Sequence, residues 1–174
     1  MNPSTEQLLD AVEAVPAAEV GILPNNGNII PVAEQVNEQT SKTVRVIRTK
    51  GITEGFASLL EYDPQGTAEE NLEGMTAAAS QVVAGEITIA VRDSGSNAGD
   101  ISEGDYLGLS EGKVKVITDS LFKAATQLIG QLIDGHELIT LIAGAEAEDS
   151  ITEEIVSWIE EKHPMVEVET HFGG

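Results

Sequence analysis

Apolar positions along this chain follow two rhythms. Short runs rich in Val, Ile and Leu, bounded by turn residues, predict strands at Glu19–Leu23, Thr43–Thr49, Glu86–Arg92, Asp105–Ser110, Lys113–Thr118, Glu137–Ala143 and Val166–His171. Between them apolar residues recur at helical spacing. Ile29, Val32, Ala33 and Val36 predict one helix. Thr67 with Glu70 forms a capping box, Leu72, Met75, Ala79, Val82 and Val83 follow on one face, and Gly85 ends the helix. Ser120 caps the next, with Leu121, Ala125, Leu128 and Leu132 inward and Gly135 as the stop. Ser150 with Glu153 makes a second capping box ahead of Ile151, Ile155, Trp158 and Ile159, and Pro164 prevents continuation.

Strands alternating with helices predict an α/β fold: a mostly parallel sheet with helices on both faces. One segment departs from it. "DYLGLSEGKVKVI" holds two strands joined at Glu111-Gly112, so an antiparallel hairpin insertion is expected around 105–118. No Pro- or Ser-rich linker divides the chain, and a single domain over 1–174 is expected. "DSGSNAGDISEGD" reads as a long loop. Two stretches echo each other: "VGILPNNGNIIPVAEQVNEQTSKTVRVIRTKG" and "ITLIAGAEAEDSITEEIVSWIEEKHPMVEVETHFGG" both run strand, small-residue loop, helix, strand. Any two βα units would look alike in this way.

Length and charge narrow the function. The 174 residues suffice for a full core, burying about 70% of the unfolded surface. Nine Lys and Arg against thirty Asp and Glu give a formal net charge of -21. Nucleic acid and anionic membranes are poor partners for such a chain, because phosphate binding needs a cationic footprint. Such a charge helps solubility and could steer a basic protein partner, but a heavily solvated acidic surface is the plainer account of it. Without cysteine there is no disulfide, no thiolate catalysis and no cysteine metal site. The N-terminus "MNPSTEQLLD" is polar and acidic, and no apolar run approaches the ~18 residues of a membrane span. A cytoplasmic location is expected.

"PNNGN", Pro24 to Asn28, stands between a strand and a helix. Its backbone N–H groups ahead of a helix could hold an anion. They could equally make the turn, with Asn28 as helix cap, Pro31 in the first turn and Gly27 supplying positive φ. It matches neither the Walker pattern nor G-x-G-x-x-G. Arg48 and Arg92 each stand at the carboxyl end of a predicted strand, where sites form in open α/β sheets. The candidate recognition edge is therefore Asn25, Asn26, Gly27, Asn28, Arg48, Thr49, Lys50, Arg92 and Asp93. It would take a carboxylate or phosphate through Arg, unless Asp93 or another acid pairs each Arg. "DSGSNAGDISEG" fails the EF-hand pattern, with Gly104 in place of the closing Glu. His136, His163 and His171 lack ligand spacing, and no Ser-His-Asp motif is present. No metal site and no catalytic residue are assigned.

"ILPNNGNIIPVAEQ", "VIRTKGITEGFASLLEYDP", "AVRDSGSNAGDISEGDYLGLSEGKV" and "VETHFGG" occur in this order, and together they resemble the C-terminal region of the fatty acid kinase A subunit. That family is also described as dihydroxyacetone-kinase-like or DAK2-fusion proteins. The resemblance runs from about Gln7 to Gly174. It implies a DegV-like fold for this region. It places kinase activity in a separate N-terminal helical domain that binds ATP and magnesium, so no cofactor is implied for these residues. It implies a C-terminal fragment of a larger kinase subunit, lacking a final strand beyond "HFGG". The implied partner is the fatty-acid-binding B subunit of the DegV family, which this region would dock for phosphorylation of the acyl carboxylate. The alternative is a DegV-like small-molecule domain that itself holds an acyl carboxylate or phosphate at the strand ends.

Overall fold

The structure, a computed structural model, describes residues 2–145 and 147–173. Met1, Glu146 in the loop of the second echo, and Gly174 at the end of "HFGG" lie outside the described residues. The chain forms two compact units, one up to Val82 and one from Val83 onward.

The first unit contains α1 (Thr5–Ala14), β1 (Glu19–Ile22), α2 (Ile30–Val36), β2 (Thr43–Val46), α3 (Ile52–Leu60) and α4 (Ala68–Gln81). β1 and β2 pair in parallel, Glu19 opposite Thr43 and Ile22 opposite Val46. With α2 between them they make a βαβ unit. Val12, Val36 and Val44 form its buried core, with Leu8, Leu9, Val20, Ile22 and Val46 packed around. The apolar rhythm alone does not predict α1, yet a capping signal marks its start. The Ser4 hydroxyl accepts from the Gln7 N–H, and the Gln7 side chain accepts from the Ser4 N–H. At its other end the Lys42 ammonium donates to the carbonyls of Val12 (2.8 Å), Glu13 (3.0 Å) and Val15 (2.5 Å). A cation thus meets the negative end of the helix dipole. α4 carries the expected Thr67–Glu70 capping box but stops at Gln81, because Val82 turns extended (φ -73°, ψ 125°). Gly85 instead opens the next strand.

The second unit contains β3 (Gly85–Ile89), β4 (Ser94–Ser96), β5 (Gly99–Ile101), β6 (Tyr106–Ser110), β7 (Lys113–Thr118), α5 (Leu121–Leu132), β8 (Leu138–Ala143), α6 (Asp149–Lys162) and β9 (Glu167–Phe172). β6 and β7 are the expected hairpin. Glu111 and Gly112 both take positive φ, 53° and 70°, as a type I′ turn requires. β3 joins this hairpin antiparallel, giving the order β3-β6-β7. The connection between β3 and β6 holds the small β4–β5 hairpin rather than a crossover helix, the usual carrier of a parallel return. Parallel pairing recurs at β8 and β9, Leu138 opposite Glu167 and Ala143 opposite Phe172. With α6 they form a second βαβ unit, so both echo segments share one topology. The stretch read as a long loop contains a small hairpin, β4 on β5.

Ser120 caps α5 through the Lys123 N–H. Ala125 packs with Ile155 and Ile159 of α6 in the second unit's buried core. The Ser150–Glu153 box does not form. α6 starts earlier, at Asp149, with Glu148 as an N-cap that makes no side-chain cap bond. Asp149 in the first turn meets the positive end of the helix dipole instead.

Candidate functional site

β1 and β2 run parallel, so the loops that leave their carboxyl ends share one rim. The first loop is "LPNNGN" and the second is "IRTKG". Asn25 enters the left-handed region at φ 52°, which asparagine tolerates better than most side chains. That geometry turns its N–H onto the Thr49 hydroxyl at 3.0 Å. Thr49 is fully buried. The Asn25 side chain lies over Gly55 of α3: a Cβ added at Gly55 would stand 2.8 Å from the amide carbon and nitrogen of Asn25. Gly55 is therefore part of the site, and its only trace in the sequence is a glycine inside a helical segment, "ITEGFASLL".

The turn itself departs from expectation at two residues. Asn28 does not cap α2. The N-cap is Ile29, in helical geometry and without a side-chain bond. The Asn28 N–H donates instead to the Asn26 side chain at 2.9 Å, and the Ile29 N–H to the Asn26 carbonyl at 2.9 Å. An Asx turn at Asn26 thus takes up the N–H groups of Asn28 and Ile29 ahead of the helix. Gly27 does not supply the positive φ; Asn25 does. Pro31 sits in the first turn as expected. α2 has only seven residues, too short to present a strong dipole to an anion.

Arg48 leaves the rim toward α2, where its Nε and its terminal nitrogen both reach the Glu34 carboxylate at 2.9 Å. The alternative of pairing by an acid holds for this Arg, with Glu34 as the acid. The Lys50 N–H donates to Glu54 at 2.5 Å, and its ammonium has no partner among the described residues. One further Arg, which no sequence motif singles out, lies in β2: Arg45 meets Glu69 at 3.4 Å, with its Nε buried and unbonded among the described groups.

Arg92 and Asp93 belong to the second unit. They follow β3, which ends at Ile89 and pairs only antiparallel. Arg92 therefore does not stand beyond a parallel strand, contrary to expectation. Asp93 accepts the Glu103 N–H at 2.8 Å, and Arg92 has no side-chain partner among the described residues. The residues gathered on one rim are thus Asn25, Asn26, Gly27, Asn28, Arg48, Thr49 and Lys50.

Two recesses stand elsewhere. One, of about 350 Å³, is lined by Tyr106, Asp119, Ser120, Leu121, Phe122, Glu148 and Ile151. The other, of about 260 Å³, is lined by Glu61, Asp63, Gly66, Glu70 and Asn71. Both present carboxylates and neither lining includes Lys, Arg or His. Three carboxyls are held below their usual range, each by local bonds. Glu70 is lowered by the Thr67 backbone N–H and then its hydroxyl. Asp119 is lowered by Lys123 and Glu161 by Lys162. Caps and neighbouring ion pairs account for these shifts without any catalytic arrangement. Among the described residues no three His, Asp or Glu side chains are grouped to hold a metal ion, and no helix is long and apolar enough to cross a membrane.

Known proteins share this sequence and fold. A protein of Staphylococcus haemolyticus is 38% identical over 175 aligned positions, covering 100% of this chain and 32% of its own length. Protein YloV of Bacillus subtilis is 37% identical over 174 positions, with 99% and 32% covered. The chain spans about a third of the length of these curated relatives. Two solved structures share the fold. A DegV-family protein of Thermus thermophilus, described for fatty acid binding, superposes at TM-score 0.63 and 13% identity, covering 98% of this chain and 70% of that one. The fatty acid kinase B3 protein of Streptococcus pneumoniae, loaded with linoleic acid, superposes at 0.65 and 14% identity, covering 98% and 69%. The fold is thus α/β and DegV-like. The family model for the C-terminal region of proteins like the fatty acid kinase A subunit matches residues 1–174, and the chain belongs to that family.

Proposed function

We propose that this chain is the non-catalytic C-terminal part of a fatty acid kinase A subunit, and that it docks the fatty-acid-binding B subunit. In this reading ATP and magnesium belong to a separate N-terminal kinase domain, and this region brings the acyl carboxylate to it. The observation that favours docking is the chemistry of the two recesses. One is lined by Glu61, Asp63 and Glu70 without a cation, and at the other Lys123 is already bound to Asp119, so neither offers an acyl carboxylate a free counter-charge. A binding site for such a ligand needs a largely apolar cleft with a few convergent polar partners. Docking needs only a surface. Incubated with ATP, magnesium and fatty acid, the chain should transfer no phosphate, whether or not the B subunit is present. Turnover would overturn the non-catalytic assignment.

A second reading follows from the two structural neighbours, both described with fatty acids. The rim of β1 and β2 would then hold an acyl carboxylate through the side-chain amides of Asn25 and Asn28, with Arg48 or Lys50 as counter-charge. Arg48 would first have to leave Glu34. Equilibrium dialysis with a radiolabelled fatty acid separates the readings. Docking predicts no stoichiometric uptake by the chain alone, and the second reading predicts one acyl chain per molecule.

A further inference from the structure

α3 is turned inside out. Its buried residues are the small ones, Gly55 and Ser58. Gly55 lies under the Asn25 amide, and the Ser58 hydroxyl donates to the Met75 carbonyl at 3.0 Å. Its large apolar residues face outward: Ile52 and Leu59 are 58% exposed and Leu60 is 70% exposed. Ile52, Leu59 and Leu60 sit at i, i+7 and i+8, one face of the helix, with half-buried Phe56 at i+4 between them. Tyr62, 54% exposed, follows directly. A lone exposed leucine is ordinary, but a continuous helical stripe of this kind marks an interaction surface.

The stripe runs into charge. At the carboxyl end of α3 lies the recess of about 260 Å³ lined by Glu61, Asp63 and Glu70. Its walls are braced. The Asn71 side chain accepts the Asp63 N–H at 2.7 Å and donates to the Asp63 and Thr67 carbonyls at 2.8 and 3.1 Å. Glu70 is held by the Thr67 N–H and hydroxyl at 2.8 and 2.7 Å, so its charge persists below the usual carboxylate range. No cation lines the recess. Apolar stripe and acidic recess together are complementary to a segment with Leu, Ile or Phe side chains beside Lys or Arg. Charge would set its register and approach, and apolar burial its affinity. An anionic lipid surface would be repelled by the same three carboxylates.

We infer that the outer face of α3, with the recess of Glu61, Asp63 and Glu70, is the surface that seats a basic apolar segment of the protein partner. The inference rests on the docking reading for the partner's identity, and it names where and by what chemistry that partner binds. A Lys or Arg of the segment enters the recess, and its apolar side chains cover Ile52, Leu59 and Leu60.

The test is isothermal titration of the chain against three probes: the B subunit, a synthetic amphipathic helix of Leu and Lys, and vesicles of equal parts phosphatidylglycerol and phosphatidylcholine. Circular dichroism confirms that each variant is folded, which the exposure of the altered side chains favours. Leu59→Ser with Leu60→Ser should weaken binding to the B subunit by about tenfold or more. Glu61→Gln with Asp63→Asn should weaken it and flatten its salt dependence. Met165→Ser, at a residue 89% exposed in the second unit, should bind as the unaltered chain does. If the α3 variants bind the B subunit with unchanged affinity, docking stands and this surface is wrong. If the unaltered chain ignores the B subunit but binds the Leu-Lys helix through α3, the docking reading falls and the surface chemistry stands. Loss of neither probe's binding in the α3 variants, or binding of neither probe at all, overturns the inference. Vesicle binding that depends on Leu59 and Leu60 overturns it in favour of a membrane.

Discussion

The backbone N–H of Asn25 donates to the hydroxyl of Thr49 at 3.0 Å, tying together the two loops that leave the parallel strands β1 and β2. Thr49 is fully buried whereas Asn25 is exposed, so replacing the hydroxyl takes the protein partner from a part-buried donor. Thr49→Val should cost about 0.5–1.5 kcal/mol in urea unfolding, the net worth of such a hydrogen bond. Thr49→Ser keeps the oxygen and should cost clearly less. Equal losses for the two variants would mean that packing of the methyl, not the bond, holds the rim.

Gly55 and Asn25 should be energetically coupled. A methyl at Gly55 would press on the Asn25 side-chain amide, the flexible end of an exposed residue, so Gly55→Ala should destabilise by about 1 kcal/mol, the low end of overpacking. Asn25→Gly removes the obstructing side chain and relaxes the backbone at φ 52°. In that background Gly55→Ala should turn neutral or stabilising, since alanine outscores glycine in a helix by about 1 kcal/mol. Thermal unfolding of the four proteins of this cycle reads the coupling directly.

Lys42 closes the end of α1 through three carbonyls. Lys42→Met keeps the aliphatic stem and removes the charge, and should cost about 1–2 kcal/mol, as for a cation at a helix C-terminus. Hydrogen exchange should show the loss as faster opening of the amides of Leu8 to Val12. Uniform loosening across the first unit would assign Lys42 a broader role.

Glu70 should titrate below the ordinary glutamate value of 4.5, because the Thr67 N–H and hydroxyl favour its charged form. A carboxyl whose pKa is depressed on folding stabilises the fold above its unfolded pKa. That contribution disappears as pH falls through the lower, folded pKa. Thr67→Val removes the hydroxyl and keeps the N–H, so the Glu70 midpoint should rise part of the way and stay below 4.5. Carbon-detected NMR titration measures both midpoints. The stability gap between the two proteins should narrow as pH falls below 4.5.

Much of this architecture can be read along the chain, for identifiable reasons. Strands announce themselves where Val and Ile cluster, as in "TVRV" and "KVKVIT". The Glu111-Gly112 turn does so through Gly112, which takes the second of two positive φ values freely, while Glu111 takes the first without favouring it. The βαβ echo is real in topology. α3 carries a helical apolar pattern in Ile52, Phe56, Leu59 and Leu60, but that pattern would place this face inward, whereas the core takes Gly55 and Ser58 instead. Strand partners are non-local, and nothing in "EITIAVRD" says that β3 will lie against β6 rather than a parallel neighbour. The rim is half visible. Parallel β1 and β2 bring Asn25 and Thr49 together as topology requires, whereas the choice of Asn25 over Gly27 for the left-handed turn depends on Thr49 and Gly55, far along the chain.

On the proposed docking, this chain receives a protein rather than a fatty acid. Analytical ultracentrifugation of the chain mixed with the B subunit carrying a fluorescent fatty acid tests it most directly, because protein and acyl chain are followed separately. Docking predicts a complex in which the label sediments with the B subunit bound to the chain, at an affinity that falls with salt as a surface charged to -21 requires. Label leaving the B subunit to sediment with the chain alone, and no complex between the two proteins, would contradict it.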